Sequence, residues 1–153
     1  MNDKENAPTI LIVDDDEMML QMAETILHKY TKYRTLRANS GLQCIDRVQQ
    51  EKIDLILLDI QMPGMNGLKT LELIRKREDG KNLPVIFLTA SSDRDTVVKA
   101  GLLKAANYIK KPFLPQDLVD RVNNVLANKL LSDPAITGVL DNLDALMPQG
   151  GAK

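Results

Sequence analysis

The sequence is poor in the residues that most often carry chemistry by themselves: it has one cysteine, one histidine, no tryptophan and five tyrosines and phenylalanines together. A single thiol, Cys44, forms no internal disulfide, and no Cys or His cluster has metal-ligand spacing, which fits a reducing, cytoplasmic setting. The lone imidazole, His28, lies in helix-like sequence between Leu27 and Lys29, a poor place for the general base of a Ser-His-Asp hydrolase. Charge of one sign is also lacking. Twenty Lys and Arg against twenty-one Asp and Glu give a net charge of -1, with no basic block to act as the footprint of a nucleic-acid binder. No apolar run approaches the roughly 18 residues of a membrane span. The opening stretch, Met1 to Thr9, is polar with mixed charges, unlike an export signal, so no membrane partner is expected.

What is present is ordinary globular material, 44% hydrophobic and 27% charged over 153 residues. At this size folding buries about 68 to 70% of the unfolded chain's surface, enough for a core without disulfides. Short apolar runs alternate with longer amphipathic stretches. Ile10 to Val13 precedes Met18 to Tyr30, Tyr33 to Ala38 precedes Leu42 to Gln50, and Leu55 to Leu58 precedes Leu68 to Arg77. Val85 to Leu88 then precedes Thr96 to Leu103, and Asn107 to Lys110 precedes Leu118 to Leu131. Runs such as Leu55-Ile56-Leu57-Leu58 do not alternate with polar residues, as expected of strands covered on both faces. The pattern predicts an α/β fold: five strand-then-helix units wound into a parallel sheet with helices on both faces. Ligands in such sheets bind beyond the carboxyl ends of the strands, so the residues that follow each apolar run are the ones to inspect.

Those residues are Asp14, Asp15, Asp16 and Glu17 after the first run, Asp59 after the third, Thr89 after the fourth and Lys111 after the fifth. If the first and third strands are neighbours, about 4.8 Å apart, then Asp14, Asp15 and Asp59 converge. Three such carboxylates ask for a cation, and Mg2+ is the fitting one, since it takes one or two carboxylates and keeps several waters. A carboxylate so placed can attack a phosphoryl group, with the cation and Lys111 offsetting charge on the transferring oxygens and a hydroxyl donating to one of them. Each residue also has a plainer explanation. Acidic residues before a helix cap its free N–H groups, Asp59 can be a turn residue before Pro63-Gly64, Thr89 can cap a helix, and Lys111 can be a solvated loop residue. Their joint placement at four different strand ends favours a site.

The segments Ile10-Leu11-Ile12-Val13-Asp14-Asp15-Asp16, Leu55 to Gly67 (LILLDIQMPGMNG), Leu88-Thr89-Ala90 and Tyr108-Ile109-Lys110-Lys111-Pro112-Phe113 resemble the receiver domain of two-component response regulators, over roughly Thr9 to Leu131. The resemblance implies a flavodoxin-like sheet of strand order 2-1-3-4-5. It implies Asp59 as phosphoacceptor, Asp15 as a direct Mg2+ ligand, Asp14 as a ligand through water, and the backbone carbonyl of Gln61 as the remaining protein ligand. Thr89 and Lys111 would contact the phosphoryl group, and Lys111-Pro112 would be a cis bond. Thr89 and Tyr108 would form the switch that alters the face built by the fourth helix, fifth strand and fifth helix. The phosphoryl donor would be a histidine kinase or phosphotransfer protein, the output a downstream protein or self-association, and the chain would not be an enzyme. One departure stands out: the family usually has glycine four residues before the switch aromatic, where this chain has Lys104. If the backbone there needs φ > 0, lysine is strained. Gln61 and Ser91 hold the two variable positions that tune loss of the phosphoryl group in the family.

Residues 1–8 are expected to be a flexible N-terminus, 9–131 the receiver domain and 132–153 a C-terminal amphipathic helix and tail. Ser132-Asp133-Pro134 is an N-cap candidate followed by proline, and Ile136, Val139, Leu140, Leu143, Leu146 and Met147 then form one apolar stripe. That stripe could pack on the domain, pair with another chain, or link to an output domain beyond residue 153. Two other functions share parts of the pattern. A haloacid-dehalogenase-type phosphohydrolase needs an acid two residues after its nucleophile followed by Thr or Val, which Asp14 to Met18 fits poorly. A flavin binder needs a phosphate loop after strand one, where three carboxylates would repel phosphate.

Overall fold

The computed structural model describes residues 6–90 and 93–131. The expected C-terminal helix, Ser91 and residues 1–5 lie outside the described residues. The five strands are β1 (Thr9–Val13), β2 (Arg34–Ala38), β3 (Leu55–Leu58), β4 (Val85–Thr89) and β5 (Asn107–Lys110). They form one sheet in the order β2-β1-β3-β4-β5, all neighbours parallel. The helices are α1 (Glu17–Tyr30), α2 (Gly41–Gln50), α3 (Gly67–Arg75), α4 (Arg94–Leu102) and α5 (Pro115–Leu131).

The non-alternating strands are explained by two cores, one on each side of the sheet. Ile10, Ile12, Leu55, Leu57, Ile86, Leu88 and Ile109 point to one side, where Leu20, Ala23 and Leu27 of α1 and Leu118, Val122 and Val125 of α5 cover them. Leu11, Val13, Ile56, Leu58, Val85 and Phe87 point to the other, under Cys44 and Val48 of α2, Leu71 and Ile74 of α3, and Ala100 of α4. Alternate residues of one strand therefore feed alternate cores, and each must be apolar. Fully burying one such leucine contributes about 1.5–3 kcal/mol.

Several elements start earlier than apolar periodicity places them, because caps and polar first turns carry no apolar signal. Asp93 caps α4, its carboxylate accepting from Thr96 N–H at 2.9 Å, so the helix begins at Arg94 rather than Thr96. Pro115 opens α5 three residues before Leu118, where its missing N–H costs nothing. Conversely, α3 stops at Arg75 rather than Arg77, the chain tightening into turns in which Lys76 and Arg77 N–H groups donate to Leu73 and Ile74 carbonyls. Among the described residues no helix is long and apolar enough to cross a membrane.

Candidate functional site

In the parallel register Val13 of β1 lies beside Leu58 of β3, so the next residues, Asp14 and Asp59, leave adjacent strands at one level. Backbone bonds pin both: Asp59 N–H donates to Val13 O at 3.0 Å and Asp14 N–H to Ala38 O at 3.1 Å. Asp14 and Asp59 are only 4% and 6% exposed as residues, while Asp15 is exposed. One oxygen from each of Asp14, Asp15 and Asp59 lies within 4.8 Å of the others. The acidic run divides its labour. Asp16 is the N-cap of α1, accepting from Met18 N–H at 3.0 Å, and Asp14 accepts from Asp16 N–H at 3.0 Å, which leaves its second oxygen for the site.

Lys111 closes the cluster from the far side of the sheet. Its N–H donates to Thr89 O at 2.9 Å, and its ammonium reaches Asp14 Oδ2 at 2.7 Å and Asp59 Oδ2 at 3.6 Å. The Asp59 carboxyl is nevertheless pushed up to about 6. Burial is the main cause, the Lys111 charge opposes it, the Asp14 charge adds to it, a hydrogen bond from the Gln61 backbone opposes it, and Asp15 adds a little. One lysine is thus too little positive charge for three carboxylates. The donor set is all oxygen and partly buried, which suits a hard divalent cation of the Mg2+ class.

Thr89, the last residue of β4, is fully buried. Tyr108 is half-buried on β5 opposite Phe87, their ring centroids 6.3 Å apart at 56°. Burial and the Asp93 charge both raise its phenol. The Lys111-Pro112 bond is cis, and Lys104 has φ 61°, so the turn into β5 keeps the left-handed conformation with lysine in it. Gln61 is exposed beside the cluster, and Ser91 lies outside the described residues.

Sequence reasoning missed what holds the Asp59 loop in place. The N–H of Gly67 donates to Ile60 O at 2.8 Å, and a Cβ there would meet the Asp59 carbonyl and sit 2.8 Å from Ile60 Cα. The signal was visible as turn punctuation, Pro63-Gly64 to Asn66-Gly67, but the close approach involves backbone atoms that periodicity does not report.

The sequence and the fold of this chain both resemble known proteins. The model of the response regulator receiver domain matches residues 10–123. The response regulator SaeR of Staphylococcus aureus is 34% identical over 117 residues, which is 76% of this chain and 50% of that protein. The hybrid signal transduction histidine kinase D of Dictyostelium discoideum is 33% identical over 124 residues, 81% of this chain and 8% of that protein. This chain therefore spans half or less of the curated relatives it matches. Among solved structures, a CheY-like response regulator receiver domain protein from Methanospirillum hungatei is 29% identical with a TM-score of 0.75, over 80% of this chain and 95% of that one. A Francisella response regulator receiver domain is 27% identical with a TM-score of 0.73, over 80% and 98% of the two chains. With the doubly wound sheet of order 2-1-3-4-5 and the acidic cluster at its carboxyl edge, these matches make the chain a member of the response regulator receiver family.

Proposed function

We propose that this chain is a phosphorylation-dependent signalling switch in the cytoplasm whose phosphoacceptor is Asp59. The observation that carries this reading is the convergence on a buried Asp59 of two further carboxylates and the Lys111 ammonium. A carboxylate oxygen of Asp59 attacks phosphorus, the bond from phosphorus to the donor breaks, and the donor group leaves with the electron pair. Asp14, Asp15, Asp59 and the Gln61 backbone carbonyl would hold Mg2+, which when bound supplies positive charge to the transferring oxygens. Lys111 offsets charge on the phosphoryl group from the other side, and the Thr89 hydroxyl donates to it. The donor is a histidine kinase or phosphotransfer protein, in keeping with the company this family keeps in the names of its relatives.

Output passes through protein contacts of the α4-β5-α5 face. Val97, Val98 and Leu102 of α4 are 42%, 50% and 76% exposed, an apolar surface available to a target protein or a second copy. Lys99, on the same helix, gives that face a cationic member. The reading makes the chain a stoichiometric acceptor rather than an enzyme.

The test is intact mass measurement of the full chain after incubation with acetyl phosphate and Mg2+. One HPO3 unit per chain is expected, absent with EDTA and absent from Asp59→Asn. No adduct on the wild type, or the same adduct on Asp59→Asn, overturns the proposal. Sustained hydrolysis of phosphate esters, far beyond one turnover per chain, would move the reading to a phosphohydrolase.

A further inference from the structure

At the opposite end of the sheet from Asp59, where β4 and β5 begin, lies a cavity of about 330 Å³. Among the described residues its lining contains four cations, Arg75, Lys81, Lys104 and Lys129, and no carboxylate. Two other cavities among the described residues mix their charges: the one beneath β1 and β2 sets Glu51 and Asp54 against Arg34 and Lys52, and the one beside α5 sets Asp117 against Lys110 and Arg121. In a chain with as many acids as bases, a lining of one sign is a specific feature.

Arg75 shows the same imbalance at atomic detail. Its guanidinium donates to four backbone carbonyls, Gly80 O at 2.8 Å, Leu83 O at 2.7 Å, Leu103 O at 2.9 Å and Lys104 O at 3.2 Å. All four partners are neutral, so among the described residues this partly buried positive charge has hydrogen bonds but no counter-charge, a situation proteins ordinarily avoid. Lys104 makes no ion pair with a described residue and lines the cavity from a left-handed backbone position that suits glycine better. Lys81 and Lys129 do have acidic neighbours, Glu78 at 3.0 Å and Asp54 at 3.3 Å, but neither acid lines the cavity. Between the cations the floor is apolar, formed by Leu83, Pro84 and Val125.

We propose that this cavity binds a small phosphate-bearing ligand of mononucleotide size, the phosphate drawn by Lys81, Lys104 and Lys129 and a flat organic ring laid on the apolar floor. Lysine acts as a point charge toward phosphate, and the size falls at the lower end of ligand sites, about 300 to 1,000 Å³. The ligand would touch Ala106, whose N–H donates to Val85 O at 2.8 Å at the entry to β5. Binding would therefore stiffen the segment that leads two residues later into Tyr108. The site is independent of Asp59 and needs no divalent cation.

The experiment follows backbone amides of the 15N-labelled full chain in EDTA during titration with adenosine monophosphate, inorganic phosphate and adenosine. Expected are saturable shifts at Lys81, Asn82, Lys104 and Ala106, with the nucleotide binding at least tenfold tighter than either fragment alone. Lys104→Gly, which suits the local backbone, and Lys81→Ala should each weaken binding severalfold without unfolding the chain. The proposal is overturned if no ligand saturates, if the nucleotide binds no tighter than phosphate, if both variants keep full affinity, or if the shifts map to Asp14, Asp15 and Asp59 instead.

Discussion

The Lys111 ammonium stands 2.7 Å from Asp14 Oδ2 and 3.6 Å from Asp59 Oδ2, so a residue just past β5 ties together carboxylates carried by β1 and β3. The pair joins positions 97 residues apart, and Asp14 is almost wholly buried. Removing the cation leaves two adjacent carboxylates facing each other with little water. Lys111→Met should therefore destabilise the cation-free protein by about 2–3 kcal/mol at neutral pH, measured by urea unfolding in EDTA. Added Mg2+ should recover part of the loss, because it replaces the missing positive charge. An unchanged urea midpoint would mean that solvent already neutralises the cluster and that Lys111 is not its counter-charge.

Gly67 has a similar cross-element duty toward Asp59. A side chain there meets the Asp59 carbonyl and approaches Ile60 Cα at 2.8 Å, both backbone atoms with no flexible end to yield. Gly67→Ala must push the start of α3 away from the loop after β3. The expected cost is about 1–3 kcal/mol of stability, as for overpacking elsewhere. Displacement of the acceptor carboxylate should also slow phosphoryl incorporation by roughly tenfold or more. Mass-resolved rates with acetyl phosphate check the second effect, and a normal rate would separate Gly67 from positioning of Asp59.

The fold was legible because each strand must serve two cores: Leu55 and Leu57 face α1 and α5, Ile56 and Leu58 face α2 and α3, and no polar residue fits among them. The acidic cluster was legible for a related reason, since residues that end buried strands at one edge of a parallel sheet have to converge. Asp16 shows where legibility stops. In sequence it is one of three equal aspartates, and only the backbone conformation makes it a cap while Asp14 turns into the site. Arg75 is a further case. At the end of an amphipathic helix it looks like a solvated cation, yet it binds carbonyls from two loops whose approach depends on the whole fold.

Lys104 carries a conformational cost that can be removed. At φ 61° its Cβ crowds the following carbonyl, worth roughly 1–2 kcal/mol for an L-residue, against about 0.5–1 kcal/mol of extra chain entropy lost by glycine. Lys104→Gly should therefore stabilise the protein by up to about 1 kcal/mol. Lys104→Ala keeps the strain and should stay within about 0.5 kcal/mol of wild type. Thermal and urea unfolding of the two variants distinguish backbone relief from loss of the ammonium. Equal stability of both would mean that the turn into β5 holds a non-glycine residue without strain.

The pH dependence of stability should expose Asp59 directly. Its carboxyl titrates near 6 in the folded protein against an ordinary value of 3.8, so between those values the folded state binds more protons than the unfolded one. Stability from this group falls as pH rises through that window and stays lower above it. The displacement corresponds to about 3 kcal/mol without a divalent cation, reduced where water reaches the site. Asp59→Asn removes the ionisation, so the variant should exceed wild type by about 2–3 kcal/mol near pH 8 in EDTA. The gap should shrink steadily as pH falls from 8 and close below the ordinary value of 3.8, where Asp59 is protonated in both states, and it should narrow near pH 8 when Mg2+ is added. Glu24 has the opposite sign, since its hydrogen bond to Arg37 lowers its titration and its stabilising contribution is lost as pH falls through the folded value. That contribution is common to both proteins and cancels in the difference. A gap that stayed constant from pH 4 to pH 8 would place the effect of Asp59→Asn in packing rather than in the charge held at the end of β3.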